Sequence, residues 1–157
     1  NKNVPWPWTI NVKGKGYYFN SKNEAIHAVK KHQAKGIKSI DVGCMQINLK
    51  YHPTAFHNLI QAFEPKYNIG YAATFLKKKY SRHHDWNKAI GQYHNSNPTL
   101  GNRYLTRIYK TLRQQDPNFK IASIAKTSSF SKTTLKKSNH TDNDVSQLTR
   151  NVLKIFK

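Results

Sequence analysis

Acidic residues and cysteine are both scarce in this sequence. Only 7 Asp and Glu stand against 27 Lys and Arg, which gives a net charge of +20. A charge of this size requires an anionic partner or environment, and nucleic acid, an acidic membrane surface and an anionic cell-wall polymer all satisfy that requirement. The single cysteine, Cys44, excludes an internal disulfide and leaves the redox compartment open.

A long apolar run is also absent. No window approaches the length and hydropathy of a membrane span. The first residues, Asn1-Lys2-Asn3-Val4-Pro5, include neither an initiator methionine nor the features of a signal peptide, which indicates a processed or truncated product. There is no internal repeat, and 157 residues are enough for one domain with its own core.

The composition changes close to residue 117. Residues 117–157 contain 8 Lys and Arg against 2 Asp and contribute +6 of the net charge of +20, so the basic character belongs to the whole chain. After Asp116 the sequence is rich in Ser, Thr, Lys and Asn and poor in large apolar residues. This composition predicts a domain over residues 1–116 followed by a flexible, disordered basic tail over 117–157.

The patterns before residue 117 predict a mostly helical α+β domain. Residues 6–19 have the alternation and the Gly-rich turn, over 13–16, of a β-hairpin. Ser21 and Glu24 have capping-box spacing and predict a helix that ends near Gly36. Further helices are predicted to start at Pro53, Pro65 and Asp85, and a last one to pass through residues 104–112 after a break at 95–98. The predicted fold therefore has four to six short helices and a small β-hairpin.

Residues 39–48 combine a glycine, a methionine and two side-chain amides in a mostly apolar run. Gly43 can adopt a positive φ or allow the backbone to approach a ligand closely. The amides of Gln46 and Asn48 can each donate and accept hydrogen bonds, as recognition of sugar hydroxyls or peptide groups requires. We interpret this run as the wall of a binding cleft, and the alternative is a buried turn whose amides are satisfied by the backbone.

Three segments together resemble the lytic transglycosylases of the soluble, goose-lysozyme-like superfamily, which cleave the glycan strands of bacterial peptidoglycan. The first is similar to the family's Gly-Leu-Met-Gln segment, the second to its Asn-Ile helix and the third to its Ala-Tyr-Asn segment. They are, in the family's order, Val42-Gly43-Cys44-Met45-Gln46-Ile47-Asn48, Tyr67-Asn68-Ile69 with the residues 72–76 that follow, and Ala89-Ile90-Gly91-Gln92-Tyr93-His94-Asn95. Residues 6–12 and 39–43 further resemble a branch of the family that carries a hairpin insertion before the central loop.

The resemblance implies a lysozyme-like fold and cleavage between N-acetylmuramic acid and N-acetylglucosamine, without a cofactor. One carboxyl group would protonate the bridging oxygen and then act as a base while the muramoyl C6 hydroxyl closes onto C1, which yields a 1,6-anhydro sugar. By the same resemblance Gln46 and the backbone near Met45 would hold the sugar or its N-acetyl group, and Tyr93 would orient the glutamate. Gly43 and Asn48 of the same segment are further substrate-binding candidates. Asn95 is a further substrate-binding candidate, although His94 stands where the family usually has asparagine. Without the resemblance, the spacing of Tyr93 would indicate a core aromatic of a helix.

The family's catalytic glutamate precedes the central loop, and in the hairpin branch it would lie before Trp6. The acids that are present fit other roles: Glu24, Glu64 and Asp85 fit helix caps, and Asp41 fits a turn acceptor. The remaining ones, Asp116, Asp142 and Asp144, lie in the tail or at its start. We therefore expect no catalytic residue in this chain and a general acid/base glutamate upstream of Asn1. Without it, the chain would be an inactive glycan-binding module.

The remaining candidates do not predict another chemistry. His52 with His57, and His83 with His84, lack Cys or acidic residues at ligand spacing, so we expect no metal site. Cys44 lacks a recognisable His partner and is interpreted as a packing residue. The family resemblance implies a periplasmic or secreted monomer whose partners are peptidoglycan glycan strands and, in some members, a secretion apparatus. Nucleic-acid binding would also explain the charge, but no helix-turn-helix, zinc-finger or RNA-binding signature is present.

Overall fold

The computed structural model describes residues 5–115 and 117, and over these residues it confirms the mostly helical α+β class, with five helices and a four-stranded antiparallel sheet. The chain divides into two compact units, an N-terminal unit, Asn1–Ala72, and a C-terminal unit, Ala73–Lys157. Apart from Pro117, the predicted tail lies outside the described residues. No helix within the described part is long and apolar enough to cross a membrane.

The predicted hairpin is present as β1 (Thr9–Val12) and β2 (Lys15–Tyr18). Its turn is shorter than predicted, because Lys15 and Gly16 already belong to β2. The turn residues Lys13 and Gly14 have φ values of 53° and 85°, the two positive values that a two-residue hairpin turn of type I′ requires. The sheet continues with β3 (Ile40–Val42) and β4 (Ile47–Asn48), in the order β2-β1-β3-β4.

One face of this sheet forms the core of the N-terminal unit. Ile10 and Val12 of β1 and Ile40 and Val42 of β3 alternate with polar residues and are all buried. They pack in one cluster with α1 (Lys22–Ala34), through Ala25 and Val29, and with Ala62 and Phe63.

The capping signals around α1 are confirmed. The Ser21 hydroxyl accepts a hydrogen bond from the Glu24 backbone N–H at 3.2 Å, and the Glu24 carboxylate accepts one from the Asn20 N–H at 3.1 Å. The helix ends at Ala34, and Gly36 follows with a φ of 77°. Both ends of α1 are therefore set by residues within its own segment.

The predicted helix at Pro53 is wrong in its start and its length. The observed helix α2 is Leu59–Ala62, and it begins after Asn58, whose side chain accepts a hydrogen bond from the Gln61 N–H at 2.9 Å. An asparagine side chain can satisfy one of the free N–H groups of a first helical turn, whereas Pro53 supplies only a suitable φ. The next helix, α3, begins at Pro65 as predicted and is Pro65–His83.

The C-terminal unit contains α4 (Trp86–His94) and α5 (Pro98–Gln115). Asp85 caps α4 as predicted, since its carboxylate accepts from the Lys88 N–H at 3.1 Å. The predicted break is a three-residue turn that leads to Pro98, the first residue of α5. In this turn the Asn97 side chain accepts hydrogen bonds from the N–H groups of Thr99 and Leu100.

Helices α4 and α5 approach each other closely at a pair of glycines. A Cβ atom on Gly101 would lie 3.0 Å from the carbonyl oxygen of Gly91 and 3.1 Å from its carbonyl carbon. At these distances a Cβ atom on Gly101 would force the backbones of the two helices apart. The contact therefore requires glycine for its close approach.

Alanine at Gly101 is expected to destabilise the protein by about 2 kcal/mol, because the two helices must separate. Alanine at Gly70, a helical glycine with open space around it, is expected to stabilise the protein by about 0.5–1 kcal/mol through helix propensity. Urea denaturation of both variants measures their free energies of unfolding and checks both predictions. Equal effects of the two substitutions would contradict the close helix contact.

Candidate functional site

The central segment is a tight strand-turn-strand unit. β3 and β4 pair through Asp41 with Asn48 and Val42 with Ile47, and residues 43–46 form the turn between them. Gly43 and Gln46 both have positive φ values, of 75° and 51°. The carbonyl oxygen of Gly43 accepts hydrogen bonds from the Gln46 backbone N–H at 3.1 Å and from Gln46 Nε2 at 2.8 Å, which closes the turn.

A buried asparagine, Asn68 of α3, holds this turn. Its side chain is 1% exposed, and its Oδ1 accepts hydrogen bonds from the Met45 N–H at 2.9 Å and from the Cys44 thiol at 3.6 Å. Its Nδ2 donates to the carbonyl oxygens of Val42, at 3.1 Å, and Ala62, at 2.9 Å. Every hydrogen-bonding position of the amide is thus occupied by the turn, by the end of β3 or by α2.

Gly43 lies directly against Asn68. A Cβ atom at position 43 would be 2.7 Å from Cγ of Asn68 and 2.9 Å from its Oδ1. The positive φ of 75° independently disfavours any side chain there. Glycine is therefore needed at this position for two reasons, a backbone conformation and a close approach.

The side chains of the turn point to different surroundings. Met45 is buried, with 2% of its surface exposed, whereas Gln46 is exposed. Within residues 5–115 and 117, only one Nε2 hydrogen of Gln46 is engaged by the protein, so Oε1 and the second hydrogen remain available to a ligand. Gln46 is the predicted site residue whose geometry best fits a direct contact.

Asn48 differs from Gln46, because both the nitrogen and the oxygen of its side-chain amide are engaged in hydrogen bonds within the protein. Its Nδ2 donates to Asp41 Oδ1 at 2.8 Å and to the Ser39 hydroxyl at 3.0 Å. Its Oδ1 accepts from the N–H groups of Lys50 and Tyr51. A sugar hydroxyl would have to replace one of these bonds, so the role of Asn48 as a sugar contact stays a prediction.

Asn48 belongs to a row of polar residues on the outer face of the sheet. Asn11 of β1 pairs with Asp41 of β3, which pairs with Asn48 of β4. On the other side Asn11 pairs with Gly16 of β2. The ring of Tyr18, which is 76% exposed, lies within about 4 Å of the position that a Cβ atom on Gly16 would occupy. We call the surface formed by Tyr18, Asn11, Asp41 and Asn48 the outer polar face.

Cys44 is a packing residue rather than a nucleophile in this setting. Burial raises the pKa of its thiol above the ordinary value, so the neutral form predominates at neutral pH. The thiol donates to Asn68, as described above. Its hydrogen-bond partner is thus the same amide that holds the turn.

The two other predicted site residues lie in the C-terminal unit. Tyr93 is half-buried on α4, and its ring packs against Phe75 with centroids 5.5 Å apart. Asn95 follows the end of α4, where its Oδ1 accepts from the Asn97 N–H at 2.9 Å. His94, between them, stacks on Tyr104 with ring centroids 4.4 Å apart. The functional roles of Tyr93 and Asn95 stay predictions.

Each carboxylate in the described part of the chain has a structural partner. Glu24 and Asp85 act as helix caps, as predicted. Asp41 accepts from Asn48, and Glu64, just before α3, forms an ion pair with Lys22 at 2.6 Å. None of these four residues is left to serve as a dedicated proton donor, whereas Asp116, Asp142 and Asp144 lie outside the described residues.

His52 and His83, which belong to the two histidine pairs considered as metal ligands, each lie against a polar side chain. His52 Nδ1 lies 2.8 Å from the Tyr71 hydroxyl, and burial raises the pKa of that tyrosine. His83 Nε2 lies 3.0 Å from Gln92 Oε1. No group of three or more His, Cys, Asp or Glu side chains among residues 5–115 and 117 is arranged to hold a metal ion.

Sequence reasoning alone did not single out Asn68, although it lies in a segment that carries the family resemblance. The available signal was a polar amide on the apolar side of α3, where a buried polar group requires partners. Comparison of the chain with protein-family models, curated proteins and solved structures found no match in any of the three. Function must therefore be inferred from the residues and their geometry.

Proposed function

We propose that this chain is part of a peptidoglycan lytic transglycosylase-like protein and that its N-terminal unit binds an aminosugar glycan strand. The observation that carries this proposal is the contact between Asn68 and residues 42–45, at the end of β3 and in the turn that follows. These residues come from two of the three segments that resemble the family. The two segments are joined by three hydrogen bonds of Asn68, to Val42, Cys44 and Met45, as a shared structural role requires.

Gln46 and the outer polar face both offer groups that suit a neutral, hydroxyl-rich ligand. Gln46 offers an amide donor and acceptor on a turn that Asn68 holds by hydrogen bonds. A fixed amide loses little conformational freedom on binding, which favours specific recognition. On the outer polar face, Tyr18 adds an exposed aromatic ring to the row of polar groups. A few placed polar groups beside aromatic surface are typical of small-molecule and sugar sites.

The reaction itself requires a proton donor that the described carboxylates do not supply. In the proposal this group is the glutamate that the family resemblance places upstream of Asn1. It would protonate the oxygen between the two sugars and then accept the proton of the C6 hydroxyl. The residues of this chain would hold the sugar while the glycosidic bond breaks and the 1,6-anhydro bond forms. The alternative is a binding module that holds the same glycan and releases no anhydro product.

Substitution of Gln46 by alanine is expected to weaken binding of chitohexaose about fivefold, the effect of one lost hydrogen bond. Chitohexaose is uncharged, so the net charge of +20 cannot account for its binding. Isothermal titration calorimetry measures the affinity. Gln33→Ala, the same change at an exposed position of α1, is the matched control and is expected to leave affinity unchanged. Equal affinities of the two variants, or no binding by the parent chain, would overturn the proposed glycan site.

A second experiment separates an enzyme from a binding module. The complete gene product, including whatever is encoded before Asn1, is incubated with peptidoglycan sacculi, and the released fragments are analysed by mass spectrometry. Anhydromuropeptides would support the transglycosylase. Binding of sacculi without fragments would support the inactive module, and hydrolysed fragments with a free reducing end would contradict the proposed reaction.

A further inference from the structure

Helix α5 carries a row of basic residues along its exposed face. Arg103, Arg107 and Lys110 are spaced by four and three residues, so they lie on one side of the helix, and all three are exposed. We call these three residues the α5 stripe. The opposite side of the helix is buried through Gly101, Ile108 and Leu112. The stripe therefore faces away from the packed side of its own unit.

No acidic residue within α5 neutralises the charge of the stripe. Helix α5 contains no Asp or Glu. Over residues 73–115 and 117, the C-terminal unit contains nine Lys and Arg against one acid, Asp85, whose carboxylate caps α4. Like charges brought together on one helix face repel one another. An anionic partner relieves this repulsion, so a negatively charged ligand is the electrostatic complement of the stripe.

The form of the stripe indicates a single extended chain of anionic groups. At 1.5 Å per residue, the three cations span about 10 Å along the helix axis. They form one row, whereas a nucleic-acid duplex presents two phosphate strands around a groove, and its sequence-specific recognition needs side chains that read base edges. One row of cations can instead follow one flexible chain of phosphodiesters.

The surroundings of the stripe do not favour single-stranded nucleic acid. Recognition of unpaired bases relies on exposed aromatic rings. On α5 both tyrosines are already engaged: Tyr104 stacks on His94, and the Tyr109 hydroxyl donates to Asn87. The Thr106 hydroxyl donates to the carbonyl oxygen of Asn102. The stripe thus offers charge to a phosphate chain but no stacking surface to bases.

We infer that the α5 stripe binds a polyol-phosphate polymer of the bacterial cell wall, separately from the glycan site. Each guanidinium or ammonium group contacts one phosphodiester, and no base-specific contact is made. The binding of a base-free phosphodiester chain follows from the stripe itself. Only the choice of the cell wall as its source rests on the proposed function.

The test uses the full chain and purified poly(glycerol phosphate) teichoic acid at 50 and 200 mM NaCl. The stripe variant Arg103→Gln/Arg107→Gln/Lys110→Gln is compared with Lys30→Gln/Lys31→Gln/Lys38→Gln, which removes the same charge from exposed positions of the N-terminal unit. Loss of three phosphate contacts is expected to weaken binding at least about tenfold at low salt and to reduce the slope of log affinity against log salt by about 2. The control variant is expected to retain most of its affinity.

Three outcomes would overturn the inference. Equal losses in the two triple variants would mean that net charge, rather than the stripe, attracts the polymer. Tighter binding of duplex or single-stranded DNA at equal phosphate concentration, lost in the stripe variant, would assign the stripe to nucleic acid. Tighter binding to vesicles of anionic phospholipid would assign it to a membrane surface. Binding of chitohexaose in parallel keeps the two proposals separate, because loss of glycan binding alone leaves the stripe intact.

Discussion

Replacement of Asn68 by leucine is expected to lower the free energy of unfolding of the N-terminal unit by about 4 kcal/mol. Leucine has a similar size, but it removes the partners of the Met45 N–H and of the Val42 and Ala62 carbonyl groups. Each buried polar group left without a partner costs about 1–3 kcal/mol. The loss is therefore larger than that of one ordinary hydrogen bond.

Urea denaturation measures this effect most clearly in a Trp86→Phe background. The chain has three tryptophans, and Trp6 and Trp8 then report on the N-terminal unit alone. Asn23→Leu is the matched control, since it makes the same change at an exposed position of α1 and is expected to alter stability by less than about 0.5 kcal/mol. A loss below about 1 kcal/mol for Asn68→Leu would contradict the role of Asn68 as the partner of the turn.

Replacement of Gly43 by alanine is expected to cost about 3 kcal/mol. One part is the φ of 75°, which an L-residue adopts only at a cost of about 1–2 kcal/mol. The other part is overlap of the new Cβ with the amide of Asn68, which cannot move away without breaking its four hydrogen bonds. The same urea titration gives the total.

Two comparisons separate these parts. Gly14→Ala has a similar backbone cost, at a φ of 85°, but a Cβ there meets no atom within 4 Å, so a smaller loss of about 1–2 kcal/mol is expected. In a double-mutant cycle, Asn68→Ala removes the atoms that the Gly43→Ala methyl group would overlap. The combined loss should then be at least about 1 kcal/mol smaller than the sum of the two single losses. Additive losses would show that the close contact does not limit the choice of residue at position 43.

The local elements were predictable because their signals lie within a few residues. The Ser21 and Glu24 pair, the Asp85 cap and Pro65 at the start of α3 all act on the first turn of the helix that they begin. Pro98 was predicted as part of the break before the last helix, whereas it is the first residue of α5. The first hairpin has the same advantage, since Gly14 permits its two-residue turn. Where two local signals competed, as at Pro53 and Asn58, the side chain that forms a hydrogen bond determined the start of α2.

The strands β3 and β4 were not predictable in this way. They contain three and two residues, too few for a recognisable alternation, and β3 pairs with β1 far earlier in the chain. A segment of this length becomes a strand only because β1 supplies a partner for its backbone groups. Without that pairing, the sequence of residues 39–48 predicts a cleft wall or a buried turn and no strand.

The sequence by itself determined the excess of cations, the helix starts and the first hairpin, because composition and short-range hydrogen bonds need no distant partner. Tertiary structure alone decided that Asn68 would hold the turn at Gly43, that Asn48 would use its amide within the protein and that Gln46 would stay exposed. The bonds of Asn68 to residues 42–45 join parts of the chain 23 to 26 positions apart. Those of Asn48 to Ser39 and Asp41 depend on the pairing of β4 with β3. Burial then obliges each enclosed polar group to find a partner, whichever part of the chain supplies it.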